Sequence, residues 1–136
     1  MSALQGAPPV PFSAAGLVLE ALAAHDFARL AAALEDDVLL SALLPRGFVE
    51  WHGAAAVCGA FAQWFGNVEA YEVTDASVGQ VGGLLQLRWR LRVEAARLGE
   101  GPKVVEQHAF AATGPTGRIE RLSLLCSGFW SEHVDG

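Results

Sequence analysis

Apolar and polar side chains alternate along the segment Leu84-Leu85-Gln86-Leu87-Arg88-Trp89-Arg90-Leu91-Arg92-Val93-Glu94. The odd-numbered positions are apolar, and the even-numbered positions from Gln86 onward are polar or charged. Because successive side chains of a β-strand point to opposite faces, this pattern predicts a strand with one buried and one solvated face. At about 3.3 Å per residue it would span roughly 35 Å. We expect this strand to be a central member of a curved sheet.

The composition limits the class of protein. The chain has 136 residues, of which 52% are hydrophobic and 18% are charged, and its net charge is −6. This length suits a single domain with an ordinary core. The acidic balance argues against a nucleic-acid partner, because phosphates require a basic face. The apolar content indicates that some apolar surface lines a cavity or a subunit interface.

The sequence also predicts where in the cell the protein is located. Residues 1–24 contain no lysine or arginine, so the charged start of a secretory signal is missing. No apolar run approaches the ~20 residues of a membrane span. Cys58 and Cys126 lack the spacing of metal ligands and are interpreted as small buried hydrophobes in a reducing compartment. We therefore expect a cytoplasmic protein with no metal site and no membrane association.

The other elements are predicted from periodicity and turn signals. Residues 1–12 are expected to form an extended arm, residues 13–130 a single domain and residues 131–136 a tail. Helices are predicted over 13–24, 27–34 and 53–65, with Ser13 and Asp26 as N-caps and Gly66-Asn67 as a left-handed stop. Strands are predicted over 38–44, 68–81, 84–94, 103–113 and 118–130, with a turn at 35–37 and a loop at 46–52.

This order indicates an α+β domain with helices on one face of an antiparallel sheet. We expect three N-terminal helices packed on a strongly curved antiparallel sheet. The two layers would form a cone with an internal pocket, and such pockets are common ligand sites.

Several segments resemble the nuclear transport factor 2-like superfamily, which includes ketosteroid isomerases, SnoaL-like polyketide cyclases and scytalone dehydratase. They are residues 24–30, 34–38, 53–65 and 117–122, within a likeness that covers roughly 14–130. The resemblance implies a homodimer and a small cofactor-free cyclase, isomerase or dehydratase acting on a hydrophobic carbonyl compound. The alternative is a non-catalytic module for small-molecule binding or dimerisation, because this scaffold hosts many chemistries.

Carrying over the isomerase site gives a negative result. The tyrosine donor, the aspartate base and the second acidic donor of that family fall on Val18, Ala42 and His108. The acidic residue of SnoaL-like cyclases falls near Ser127. Proton abstraction needs a base within reach of the substrate carbon, so steroid isomerase chemistry is not expected.

His108 is the remaining candidate for acid–base catalysis, because imidazole titrates near neutral pH. It shares a strand face with Val104 and Phe110, and Glu106 on the same face could orient it. In the alternative interpretation His108 lies in the core or at its rim, and Glu106 pairs with an arginine of the 84–94 strand. Val105, Ala109 and Ala111 form a competing apolar face, so the phase of this strand is open.

Other residues are candidates for substrate binding. His52 could converge with His108 in a paired-histidine site of the scytalone dehydratase kind. Tyr71 could donate its hydroxyl, or it could occupy a surface strand position. The set predicted to contact a hydrophobic ligand is Trp51, His52, Phe61, Tyr71, Trp89 and Phe110, with Trp64 and Trp130 as further aromatic neighbours; the alternative role for most aromatic members is core packing.

Overall fold

The computed structural model describes residues 12–132. Within this range the elements are α1 (Ser13–Ala24), a 3₁₀ helix (Phe27–Ala33), β1 (Leu34–Leu44), β2 (Gly47–His52), α2 (Ala54–Phe65), β3 (Ala70–Val81), β4 (Leu84–Glu94), a second 3₁₀ helix (Ala96–Leu98), β5 (Lys103–Thr113), β6 (Ile119–Cys126) and β7 (Trp130–Ser131). Residues 1–11 of the predicted arm and 133–136 of the predicted tail lie outside the described residues. None of the helices between residues 12 and 132 is long and apolar enough to cross a membrane.

The strands form one open mixed sheet in the order β2-β1-β6-β5-β4-β3, and β7 pairs with β5. The α+β class agrees with the prediction. The expected purely antiparallel pairing is wrong at β1 and β6, which run parallel. The β4 strand has partners on both sides but lies next to the edge strand β3, so its predicted central position is also wrong. Alternation identifies a strand and its buried face, but it contains no information about direction or order.

The β4 strand has the predicted bounds and the predicted buried face. Its five odd-numbered side chains from Leu85 to Val93 are all 0% exposed. Helix α2 packs against this face, with the ring of Phe61 6.1 Å from that of Trp89. Phe61, Phe65 and Trp89 are at most 1% exposed, so packed side chains occupy this space between helix and sheet, where the cone pocket was expected. The prediction of three N-terminal helices is not confirmed: the second helical segment is a 3₁₀ helix, and α2 follows two strands where one was expected.

Helix ends differ from the predictions. Neither Ser13 nor Asp26 makes a side-chain capping hydrogen bond, and Ser13 is already the first helical residue. Gly66 has φ −75°, so it is not a left-handed stop. A Cβ at this position would collide with the Ala62 carbonyl oxygen, and glycine is therefore required for space. His25 provides the left-handed stop, after α1, with φ 56°.

Two segments predicted as irregular belong to strands. Residues 35–37, expected to be a turn, are part of β1, where the register with β6 shifts between Leu34 and Leu39. The acidic side chains there are mostly exposed, which produced the turn-like pattern. Residues 47–52, expected to be a loop, form the edge strand β2, paired with β1 from His52 to Gly47. Conversely, the last predicted strand ends at Cys126 and resumes only at Trp130.

Candidate functional site

The phase of β5 determines which of its residues reach the interior. Val105, Gln107, Ala109 and Ala111 are 0% exposed, whereas His108 and the other even-numbered residues lie on the opposite, outer face of the sheet. Ala109 is paired with Leu87 on one side and Leu124 on the other. The sequence left the phase of this strand open; in the structure the competing apolar face contacts the core, and His108, the candidate for acid–base catalysis, lies outside it.

His108 belongs to a polar network on the outer face. Its Nε2 lies 2.7 Å from a carboxylate oxygen of Glu106. Glu106 also lies 3.4 Å from Arg90 and 3.7 Å from Arg88, as the alternative interpretation of this glutamate predicted. Arg88 in turn pairs with Asp75, and the hydrogen bond from Arg88 lowers the pKa of the Asp75 carboxyl. The side chain of His108 is 43% exposed, so this pair meets solvent.

Other predicted ligand contacts also lie away from the interior. Phe110 is 40% exposed on the outer face. His52 is exposed on β2, three strand spacings or about 14 Å from β5. His52 and His108 therefore do not converge, and the paired-histidine hypothesis is wrong.

Tyr71 has a structural partner for its hydroxyl. This group donates a 2.6 Å hydrogen bond to the carbonyl oxygen of Leu22, at the end of α1. The Tyr71 ring stacks on His25 with a centroid distance of 4.2 Å. His25 donates from Nε2 to the Phe65 carbonyl oxygen at 2.6 Å. Tyr71 and His25 thus join the C-terminal ends of α1 and α2 to the sheet.

The structure does bring most of the predicted aromatic wall together. The ring of Trp64 lies 5.5 Å from that of Trp51 and 5.1 Å from that of Phe61. Phe61 extends the cluster to Trp89, and Phe65 extends it to Phe129 at 6.1 Å. Trp51, Trp64 and Phe129 are only partly buried. The cluster therefore runs from the sealed core to the surface.

A row of three polar side chains crosses the inner face of the sheet beside this cluster. The indole N–H of Trp89 donates a 2.8 Å hydrogen bond to Oε1 of Gln107. Gln107 donates from Nε2 to the sulfur of Cys126 at 3.2 Å. Trp89, Gln107 and Cys126 occupy registered positions on β4, β5 and β6. We call these three residues the polar row. It contains no carboxylate, imidazole, amine or guanidinium, and Gln107 at its centre is fully buried.

Residues 127–129 cover the end of the polar row, and we call them the covering segment. The backbone N–H of Gly128 donates to the Cys126 sulfur at 3.4 Å. Gly128 has φ 78°, and a Cβ there would lie 2.6 Å from Pro45 in the β1–β2 turn. Phe129 packs on Phe65 of α2. Ser127 is still held to β5, because its backbone N–H donates to the Glu106 carbonyl oxygen at 2.9 Å and its hydroxyl accepts from the Glu106 N–H at 2.9 Å. The chain then leaves the sheet at Gly128 and Phe129 and rejoins it at β7.

Gln107, Cys126 and Phe129 were not selected by the sequence reasoning. Gln107 was detectable in principle, since it is the polar position within the apolar face of Val105, Ala109 and Ala111. Phe129 was missed because the last strand was predicted to continue to residue 130, although Ser127-Gly128 after Cys126 is a signal for a strand end.

A metal ion or a charged cofactor would require ligating or charged side chains that lie together. Between residues 12 and 132 no three His, Cys, Asp or Glu side chains come together. Burial raises the pKa of the Cys58 thiol, which keeps it protonated at neutral pH. An open cleft of about 410 Å³ on the outer face includes Arg90, Arg92 and Trp130. Its two arginines are paired with Glu106 and Glu132.

Comparison with known proteins agrees with this architecture. The model of the SnoaL-like domain matches residues 17–125, most of the chain. The chain belongs to the SnoaL-like domain family. A search of curated proteins gives no match. The family membership confirms the superfamily resemblance, and this scaffold hosts many different chemistries.

Solved structures share the fold at low sequence identity. An LEH-like epoxide hydrolase of M. tuberculosis has 21% identity and a TM-score of 0.61, over 84% of this chain and 80% of that one. A putative polyketide cyclase of Xanthomonas campestris has 22% identity and a TM-score of 0.60, over 82% and 88%. A protein of Catenulispora acidiphila with a ketosteroid isomerase-like fold, in complex with trimethylamine, has 13% identity and a TM-score of 0.66, over 88% and 85%.

Proposed function

We propose that this SnoaL-like domain binds an uncharged, apolar small molecule between α2 and the inner face of the sheet. The observation that carries the proposal is the neutral polar row beside a partly exposed aromatic cluster, in place of an acid–base pair. Apolar walls with a few placed polar groups are typical of ligand pockets. Phe129 packs against Phe65 at the surface end of the aromatic cluster, and a ligand ring would take the place of the Phe129 ring there.

Calorimetry with acetylnaphthalene tests this proposal. The wild-type protein should bind it saturably, and Phe129→Ala should bind it more tightly because the Phe129 ring no longer has to be displaced. Phe110→Ala is the matched control, since it removes the same side chain from the outer face and should leave the affinity unchanged. Absence of saturable binding by both the wild type and Phe129→Ala would overturn the proposal.

The second candidate is an enzyme of the cyclase, isomerase or dehydratase type acting on a hydrophobic carbonyl compound. The observation favouring it is the 2.7 Å contact between His108 and Glu106, which pre-assembles an imidazole with a carboxylate. Its substrate would approach from the outer face, beside Phe110. Exchange of the C–H protons next to a ketone carbonyl, followed by NMR in heavy water, tests this candidate.

In that assay the enzyme candidate requires exchange well above buffer and a loss of about 10²–10⁴-fold in His108→Gln. A wild-type rate equal to buffer would remove it. A β,γ-unsaturated ketosteroid should not be isomerised in either case, because Val18 and Ala42 are buried apolar residues, 2% and 0% exposed, where a donor and a base would be needed.

We further propose that the outer face forms a homodimer. Phe48, Leu43 and Leu125 are 63%, 50% and 53% exposed and are registered neighbours across β2, β1 and β6. On the neighbouring strand β5, Glu106 is already paired with Arg88 and Arg90 within the chain, so a second copy covering this part of the face would not leave that carboxylate unpaired. Light scattering should report a dimer that Leu125→Glu dissociates. Val78→Glu, which changes the inner face of the sheet, should leave the dimer intact. A wild-type monomer at micromolar concentration would contradict the proposal.

A further inference from the structure

Gln107 has hydrogen-bonding capacity that its described neighbours do not use. A primary amide has one acceptor oxygen and two N–H donors. Because the indole of Trp89 can only donate, it must face Oε1, and this directs Nε2 toward Cys126. Within residues 12–132 the sulfur of Cys126 is the one acceptor for Nε2, so a second N–H is left unmatched in this part of the chain.

This donor is unusual for its position. Gln107 is 0% exposed, and buried donors are nearly always paired with protein or water. Sulfur is also a weak acceptor, so even the bonded N–H is poorly matched. The Cys126 sulfur that receives it also receives the N–H of Gly128. The Cys126 sulfur therefore connects the Gln107 amide to Gly128 of the covering segment, at the end of β6.

The chemistry of the site selects the kind of ligand group. The unmatched group of Gln107 is an N–H donor, so the ligand atom that satisfies it must be an acceptor, while Oε1 already accepts from Trp89. A carboxylate would need a cation, and the buried cation among the described residues is Lys103. It lies four residues along β5, about 13 Å away, and bonds to Glu100 and Ser131. The donor thus suits an uncharged acceptor, such as a carbonyl oxygen.

We propose that Gln107 determines the orientation and specificity of the ligand by donating its unmatched amide N–H to an uncharged acceptor oxygen. The covering segment moves to admit the ligand, and Phe129 leaves its contact with Phe65. This inference rests on the proposed binding function. It adds the residue that the ligand's polar atom contacts, the type of that atom and the route by which it enters.

The test compares acetylnaphthalene with ethylnaphthalene, which have similar shape but differ in the carbonyl oxygen. Their dissociation constants are measured by calorimetry for the wild type, Gln107→Leu and the pair Trp89→Phe with Gln107→Leu. The double variant removes both the indole donor of Trp89 and the amide acceptor of Gln107. It can be measured in place of Gln107→Leu if that single variant does not fold. Gln86→Leu, a glutamine on the outer face of β4, is the control. In both Gln107 variants the preference for the ketone should fall about tenfold relative to wild type.

The outcomes separate this inference from the proposed function. If both probes bind and the preference for the ketone is the same in the wild type and the Gln107 variants, the assignment of Gln107 is overturned while ligand binding stands. If neither probe binds any variant, both proposals fail. In the wild type, the ketone should also shift the NMR signal of the Gln107 side-chain amide more than the hydrocarbon does, and equal shifts would count against the assignment.

Discussion

The indole N–H of Trp89 donates a 2.8 Å hydrogen bond to the side-chain oxygen of Gln107, and both side chains are 0% exposed. This contact joins neighbouring strands in the middle of the core. Each group satisfies the other in a region without solvent, so the two residues should be coupled energetically.

Gln107→Leu should lower the free energy of unfolding by about 1–3 kcal/mol, because it leaves the buried indole N–H without an acceptor. Adding Trp89→Phe should recover part of this loss, since replacing both partners by apolar groups is less costly than replacing one. Urea denaturation of the two single variants and the pair gives the coupling energy. Strictly additive changes would show that the bond does not contribute. Gln86→Leu, which is not in the core, should stay within about 0.5 kcal/mol of wild type.

The polar row also shows what the sequence could and could not provide. The alternation from Leu85 to Val93 predicted the bounds and buried face of β4, because only one choice of buried face places all five apolar side chains in the core. In β5 two phases compete: one contains His108 and Phe110, the other Val105, Ala109 and Ala111. Alanine and phenylalanine are compatible with either face of a sheet. Only the pairing of Ala109 with Leu87 and Leu124 decides between the two phases.

The choice of His108 as the catalytic candidate gave chemical reactivity more weight than the phase of the strand, which was left open. An imidazole was more conspicuous than a glutamine, although Gln107 lies on the face that contacts the core. Similarly, the parallel pairing of β1 with β6 depends on contacts between residues about 80 positions apart. Local periodicity does not contain that information, and the break after Cys126 likewise depends on packing against Pro45 and Phe65.

Tyr71 predicts a specific loss of stability at alkaline pH. Burial raises the pKa of its hydroxyl above the ordinary value of about 10. Above that pH the unfolded chain releases this proton while the folded chain retains it, so the free energy of unfolding falls as pH rises. Below that pH the contribution is fully present.

Denaturation at a series of pH values, for wild type and Tyr71→Phe, measures this effect. The variant should be about 1 kcal/mol less stable at neutral pH, because it loses the bond to Leu22, and its decline above pH ~10 should be shallower. Tyr71 is the only tyrosine, so tyrosinate absorbance reports its titration directly. Parallel pH profiles for the two proteins would contradict the assignment.

Gly128 should be sensitive to substitution. Its φ of 78° is unfavourable for other residues, and a Cβ would lie 2.6 Å from Pro45. Gly128→Ala should therefore destabilise the fold by about 1–3 kcal/mol and increase hydrogen exchange at the amide of Ser127. Gly83→Ala is the control, because a Cβ there meets nothing within 4 Å and its φ is not in the left-handed region. Equal stability of the two variants would show that the covering segment is not held in this position.

The location of a bound ligand tests the central claim of an interior binding site. Isotope-filtered nuclear Overhauser spectra of labelled Phe129→Ala protein with acetylnaphthalene identify the side chains that touch the probe. Contacts to Phe61, Phe65 and Trp89 are predicted, with no contact to the outer face. Contacts to His108 and Phe110, with none to Trp89, would contradict the claim and place the functional surface on the other side of the sheet.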